Sequence, residues 1–234
     1  MLSEFFQALS TGASIGNTVV AMLAEGTLVT LYMTLVSTIA AYLIGLPMGI
    51  ALVVTADDGL RPNRIIYKCL DIVANIVRSI PFLILLILVI PVTRAIVGKS
   101  YGPTATIVPL VLAAGPFIAR MVESSLLEVD RGVIEAAQSM GAGTGYIVAK
   151  VMLVEARSSL IVGATIVLGT ILGYSAMAGT VGGGGLGDIA IRYGYHRYQQ
   201  DIMWVTVILL VLLVQVMQWA GIRLSRKLDR RVRN

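Results

Sequence analysis

These 234 residues are poor in charge: 13% are charged, against about 25% in an average soluble protein, while 57% are hydrophobic and the mean hydropathy is +0.87. Charge-free runs long enough to span a bilayer recur along the chain, which excludes a soluble domain and leaves an integral membrane protein. There is one cysteine, Cys69, so no internal disulfide framework can form, and no second Cys or His stands near it at metal-ligand spacing. It reads as a small residue near a helix start. His196 is the only histidine and has no Cys, His or carboxylate pair arranged beside it, so it reads as a surface residue. Basic residues are missing from the whole N-terminal stretch, the first being Arg61. A cleaved signal peptide needs a basic n-region, so residues 1–25, with Glu4 and Glu25, read as a mature N-terminus whose Phe5, Phe6 and Leu9 lie in the membrane interface. The net charge of +5 does not indicate nucleic-acid binding, because the positive residues sit in loops and at the C-terminus, where membrane orientation explains them.

Two glycine patterns imitate nucleotide sites and lack their context. Gly98-Lys99-Ser100 matches the tail of a phosphate-binding P-loop, but Thr93 stands where that motif needs glycine and no strand precedes it, so ATP binding by this chain is not expected. Gly182, Gly184 and Gly187 fit G-x-G-x-x-G yet follow a membrane helix rather than a strand. The stretch Thr180 to Asp188 reads instead as an external hinge or re-entrant loop, its four successive glycines supplying backbone freedom.

Charge-free windows place five spans and make the chain all-α. The first covers 26–56, with Pro47 to kink it and Gly45 and Gly49 to admit a close neighbour. The second, 72–97, is interrupted by Arg78 and Arg94, and Asp71 and Asn75 lie at helical offsets from Arg78. Arg78 reads as a structural residue near the inner face, and Pro81 bends the span just beyond it. The third, 100–119, carries Pro103, Pro109 and Pro116, which neighbouring helices must satisfy, and so belongs in the interior. The fourth, 158–178, has a row of small residues, Ser159, Gly163, Gly169 and Gly173, which serves either close helix packing or a substrate path. The fifth, 202–222, ends at Trp219, and a basic cluster of Arg223, Arg226, Lys227, Arg230, Arg231 and Arg233 follows. Thirteen Lys and Arg fall on one side of these spans and four on the other. The richer side is cytoplasmic, which puts the N-terminus outside, the C-terminus inside and the hydrophilic segment from Arg120 to Arg157 in the cytoplasm. Asp188, Arg192, Tyr193, Tyr195, His196, Arg197 and Tyr198 then form an outer loop, either an interfacial aromatic belt or a contact for an external protein.

Inside the hydrophilic segment, Val133, Ile134, Ala137 and Met140 set an apolar stripe on a helix over 130–140 that ends at Gly141, a residue free to take the left-handed C′ conformation. Thr144 can cap a second helix that carries Ile147, Val148, Val151, Met152 and Leu153. The pair suits docking into a groove on a soluble partner. Glu135-Ala136-Ala137, with Gly141 beyond it and the segment from Ile147 to Leu153, resembles the "EAA" coupling loop of ABC importer permeases. Arg78-Ser79-Ile80-Pro81-Phe82, the run Ala114 to Glu123 and Gly173-Tyr174-Ser175-Ala176-Met177 are similar to the MetI-type permeases of methionine importers. The resemblance covers roughly residues 26–228. The chain departs from it at Val154, where the pattern has proline, so the bend before the fourth span is expected to be softer.

That resemblance implies a five-helix, type I ABC importer permease fold in a single transmembrane domain over 1–234, with coupling helices at about 130–155. It implies a homodimer in the bacterial cytoplasmic membrane, working with an external solute-binding lipoprotein and a cytoplasmic ATPase dimer that binds ATP and Mg, and with no cofactor or catalysis in this chain. Glu135, Ala136, Ala137, Gly141, Ile147 and Leu153 would be the coupling residues. Met177 is the last large apolar side chain before the glycine run, and flexible thioethers from two subunits can seal a path and repack. Packing against another helix is the alternative. The match to the family at Gly173, Tyr174 and Met177 implies the gate. The competing functional class is a passive channel or ion-coupled carrier, for which the spans show neither charge rings nor mid-membrane acidic relays.

Overall fold

The computed structural model describes residues 14–228, which are mostly helical with no strand among them. Phe5, Phe6 and Leu9, and Arg230, Arg231 and Arg233, lie outside the described residues. In chain order the helices are α1 (Ser14–Thr55), α2 (Arg64–Ser79), α3 (Phe82–Leu88), α4 (Ile90–Val97), α5 (Pro103–Leu127) and α6 (Arg131–Ser139). Then come α7 (Thr144–Tyr146, continued by a π-helical turn Ile147–Met152 and by Leu153–Glu155), α8 (Arg157–Ala178), a 3-10 turn Gly179–Val181, α9 (Gly185–Ile189, continued by a π-helical turn Ala190–Tyr195) and α10 (Gln200–Leu228).

Helices α1, α5, α8 and α10 are long and apolar enough to cross a membrane, and the broken pair α2 and α3 makes a fifth span if the two count as one. The expected second span is therefore three pieces. Asn63 caps α2 by accepting from the backbone N–H of Ile65 (3.2 Å) and Ile66 (3.1 Å). The helix stops at Ile80, which is extended (φ −82°, ψ 124°) because a residue before proline is driven out of the helical region. Helix α2 is also two-faced: Lys68, Asp71, Asn75 and Arg78 share one side, and Ile65, Ile72, Val73 and Ile76 are exposed on the other. Two other spans are longer than expected. Helix α1 begins twelve residues earlier than the charge-free window allowed, and α5 runs on to Leu127, so that Arg120 is a helical residue rather than the start of a loop. Pro103 opens α5, where its missing N–H is no loss. In the most apolar window of α5, 56% is buried, against 6% for α10. The interior place expected for the proline-rich span is the one it has.

The described residues fall into two compact units whose segments alternate along the chain. One gathers the chain up to Ser37 with 82–110 and 170–216. Its core holds Leu23, Leu186, Ile189 and Ile202. Here the glycine run is packed rather than hinge-like: the N–H of Leu186 donates to the buried hydroxyl of Thr30 (2.9 Å), and the N–H of Gly102 donates to the carbonyl of Gly182 (2.9 Å). A methyl group on Gly187 would lie 2.2 Å from the carbonyl oxygen of Ala176. These glycines provide room for backbone against backbone.

The other unit gathers 38–81, 111–169 and the chain from Met217. Gly45 and Gly49 bring α1 against α5, where a methyl on either would lie 2.6 Å from the carbonyl of Gly115 or Ala119. Helix α8 meets α5 through the hydroxyls of Ser159 and Ser125 (3.0 Å) and meets α10 through those of Ser158 and Ser225 (2.9 Å). Of the small-residue row, Ser159, Gly163 beside Met121 and Gly169 beside Gln218 serve packing, while Gly173 has nothing within 4 Å of its missing side chain. The guanidinium of Arg223 lies 4.2 Å over the ring of Trp219, so the first cation of the basic cluster is held on the aromatic anchor.

Candidate functional site

The hydrophilic hairpin of α6 and α7 is built by its two ends and one turn. Asp130 caps α6 by accepting from the N–H of Gly132 (2.8 Å). At the other end the N–H of Gly141 donates to the carbonyl of Gln138 (2.9 Å), and that of Ala142 to the carbonyl of Ala137 (3.1 Å). Those two bonds with Gly141 at φ +79° make a Schellman motif. The turn expected at Gly141 is thus present, with α6 one residue shorter at each end than the expected 130–140. Thr144 does not cap α7. Gly143 holds that position, and the Thr144 hydroxyl accepts instead from the Nε of Arg61 (3.1 Å).

The two helices pack on each other, with Ala137 of α6 and Ile147, Val148 and Met152 of α7 buried. Leu153 is half-buried and Ile134 likewise. The apolar stripe read from the sequence does not all turn inward: Val133 is exposed, and Met140 is 82% exposed, with Tyr146 at 62%. Glu135 and Ala136 are exposed with them, and the Glu135 carboxylate has no partner among the described residues. The hairpin therefore offers a carboxylate, two large apolar side chains and a fixed turn to whatever meets it. A cleft of about 190 Å³ lies beneath α6, lined by Asp58, Leu126, Arg131, Ile134, Glu135 and Met152 among others.

The loop between α1 and α2 braces this hairpin, which local sequence patterns do not reveal. Asp58 pairs with Arg131 on α6, and Arg61 reaches α7, across sequence separations of 73 and 83 residues. Only Ala156 separates α7 from α8, with φ −79° and ψ −1°.

Asp71 and Asn75 do share a face with Arg78, but they bind Arg120. Arg78 is exposed, its guanidinium 6.0 Å from the centroid of Phe117, and Pro81 is exposed within the break between α2 and α3. The proposed gate residues lie on the last turns of α8. Met177 is 52% exposed, and its carbonyl accepts from the Thr180 hydroxyl (2.8 Å). Tyr174, one turn before it, is half-buried and stacked on Phe82 with ring centroids 4.4 Å apart and planes 3° off parallel. Gly173 lines an apolar cleft of about 280 Å³ with Leu172, Ala176, Leu210, Val211 and Val214. The expected outer loop is helical as far as Tyr195, as α9 and its π-helical continuation: Asp188 pairs with Arg192 (2.5 Å), Arg197 sits over Tyr193 at 4.6 Å, and His196 is exposed, edge-on to Tyr195.

The family model described as "Binding-protein-dependent transport system inner membrane component" matches residues 41–234. A curated relative from Vibrio cholerae serotype O1, "Probable D-methionine transport system permease protein MetI", is 50% identical over 210 residues, covering 90% of this chain and 93% of its own. The "D-methionine transport system permease protein MetI" of Escherichia coli K12 is 51% identical over 158 residues, 68% of this chain and 73% of its own. Among solved structures, the native crystal form of the inward-facing MetNI methionine ABC transporter matches with a TM-score of 0.89 at 49% identity, over 90% of this chain and 98% of that one.

Proposed function

Because this chain belongs to the binding-protein-dependent transport system inner membrane component family and is the non-catalytic membrane permease subunit of an ABC importer, we propose that two copies import methionine or a closely related amino acid. ABC-importer membership sets aside the passive channel and the ion-coupled carrier. The observation that carries the mechanism is the exposed hairpin, in which Glu135, Met140 and Tyr146 stand exposed around a fixed turn. A cytoplasmic ATPase dimer, holding the ATP and Mg, docks on the hairpins of both copies. Glu135 accepts charge-assisted hydrogen bonds there, while Ala136 lets the partner approach closely. Ala137, Ile147 and Leu153 hold the two helices together as one body. The chain sits in the bacterial cytoplasmic membrane with its N-terminus outside, and an external binding lipoprotein delivers substrate at the side of the aromatic loop. At rest Met177 of each copy closes the outer end of the pathway, with Tyr174 one turn below.

Proteoliposomes test both parts in one sample. They would hold Cys69→Ala/Met177→Cys chains, the ATPase and the binding protein. Under reducing conditions they should accumulate labelled methionine only with ATP. Mild oxidation should join the two copies and stop uptake, and reductant should restore it. No ATP-dependent uptake from the reduced sample would contradict the importer reading, and uptake unaffected by oxidation would take Met177 out of the gate.

A further inference from the structure

We propose that Arg120 is a positioning residue: it ties α2 to α5, so that displacement of the coupling hairpin reaches the pathway through the broken second span. The inference rests on the importer reading above and adds the route within the chain. Arg120 donates to the carboxylate of Asp71, to Oδ1 of Asn75 (3.0 Å), to the carbonyl of Asp71 (3.5 Å) and to the carboxylate of Glu123 (2.6 Å). Nδ2 of Asn75 closes the network on Asp71 (3.2 Å). The side chains of Arg120, Glu123 and Asp71 are only 18%, 13% and 33% exposed. Charged groups in a membrane helix are costly and mark function when they persist, and this cluster sets two carboxylates around one guanidinium. Its members come from facing turns of two helices, and the ladder continues with Arg78 of α2 against Phe117 of α5. A planar fork with five donors serves Asp71, Asn75 and Glu123 in one fixed geometry, whereas an ammonium group brings three donors from a single nitrogen on a flexible stem and does not reproduce it.

The ends of this ladder give it a purpose. After Leu127 only three residues separate α5 from α6, so α5 and the hairpin are closely joined. At the other end α2 stops at Ile80, and the first residue of the next helix is Phe82, the ring stacked on Tyr174. Tyr174 is three residues before Met177. A hairpin pushed by the ATPase moves α5, Arg120 carries α2 with it, and the break at Ile80-Pro81 passes the movement to Phe82 and the end of α8.

The test is a double-mutant cycle on import per ATP hydrolysed, in proteoliposomes containing the complete importer. Arg120→Lys and Asp71→Asn should each lower that ratio by about two- to thirtyfold, the range by which residues along a coupling route alter coupling, while the ATPase still copurifies. Phe82→Ala should lower it too, and the combination with Arg120→Lys should cost less than the product of the single losses, as groups on one route do. Wild-type ratios in both Arg120→Lys and Asp71→Asn would overturn the proposal. So would strictly multiplicative losses, or loss of folded chain in both variants, which would make the cluster a folding element alone. Failure of the unmutated importer to take up methionine would count against the importer reading instead.

Discussion

Gly141→Val should cut ATP-driven import by about five- to thirtyfold while the chain still inserts, folds and reaches the membrane in normal amounts. The left-handed backbone at φ +79° costs an L-residue about 1–2 kcal/mol, a β-branched one having the least tolerance for it. Nothing lies within 4 Å of a Cβ added there, so the loss is expected from the backbone. The valine variant must open the Schellman turn, and Met140 then no longer holds its place relative to Tyr146. Gly141→Asn separates this account from a steric one, since asparagine accepts the left-handed region and is nearly as large as valine. Import should return in the asparagine variant. Equal import by valine and wild type, measured with the ATPase bound, would contradict the assigned role of the turn.

The largest effect on folding is expected at Gly187. A methyl there would sit 2.2 Å from the carbonyl oxygen and 2.6 Å from Cα of Ala176, both backbone atoms that cannot rotate away. A methyl on Gly179 would meet the same contact from the other side, 2.3 Å from the backbone N of Asp188. Gly187→Ala must therefore part the end of α8 from α9 and expose Leu186, which is fully buried. The cost should exceed about 4 kcal/mol, the range reserved for overpacked or cavity-opening changes, and the detergent-solubilised chain should aggregate or melt well below wild type. Gly173→Ala is the matched control. It lies inside α8 in open space, where alanine gains about 0.5–1 kcal/mol over glycine. A Gly187→Ala chain that melts with the wild type would mean that α8 and α9 are not packed in this way.

How much of this could be read from the chain alone depends on how local the cause is. Helix α8 was placed within one residue because Arg157 and the glycine run bound a charge-free window, and the Gly141 turn was legible because a left-handed C′ position has a residue signature. Arg120 was not legible. Its charge looks like the start of a loop, and besides the adjacent Glu123 the partners that hold it in a helix, Asp71 and Asn75, lie 45 to 49 residues away. The second span misled for a related reason: Asp71, Asn75 and Arg78 look like interruptions to a membrane helix until α5 supplies their partners, and Pro81 announces a bend rather than three helices. Met140 and Val133 fit an inward stripe by spacing, yet Ala137 and Ile134 take the inner face between them. The stripe is wider than the surface available to bury it.

The central claim, that the hairpin is where the ATPase engages this chain, is tested most directly at Met140, which is 82% exposed beside the turn. In a Cys69→Ala background, Met140→Cys is placed in the purified complex with the ATPase and treated with a membrane-impermeant maleimide and, separately, with a short bifunctional thiol cross-linker. The account predicts that the site is protected from maleimide in the complex, labelled once the ATPase is stripped away, and covalently joined to the ATPase by the cross-linker. Full maleimide labelling in the intact, ATP-hydrolysing complex, with no cross-linked product, would contradict it.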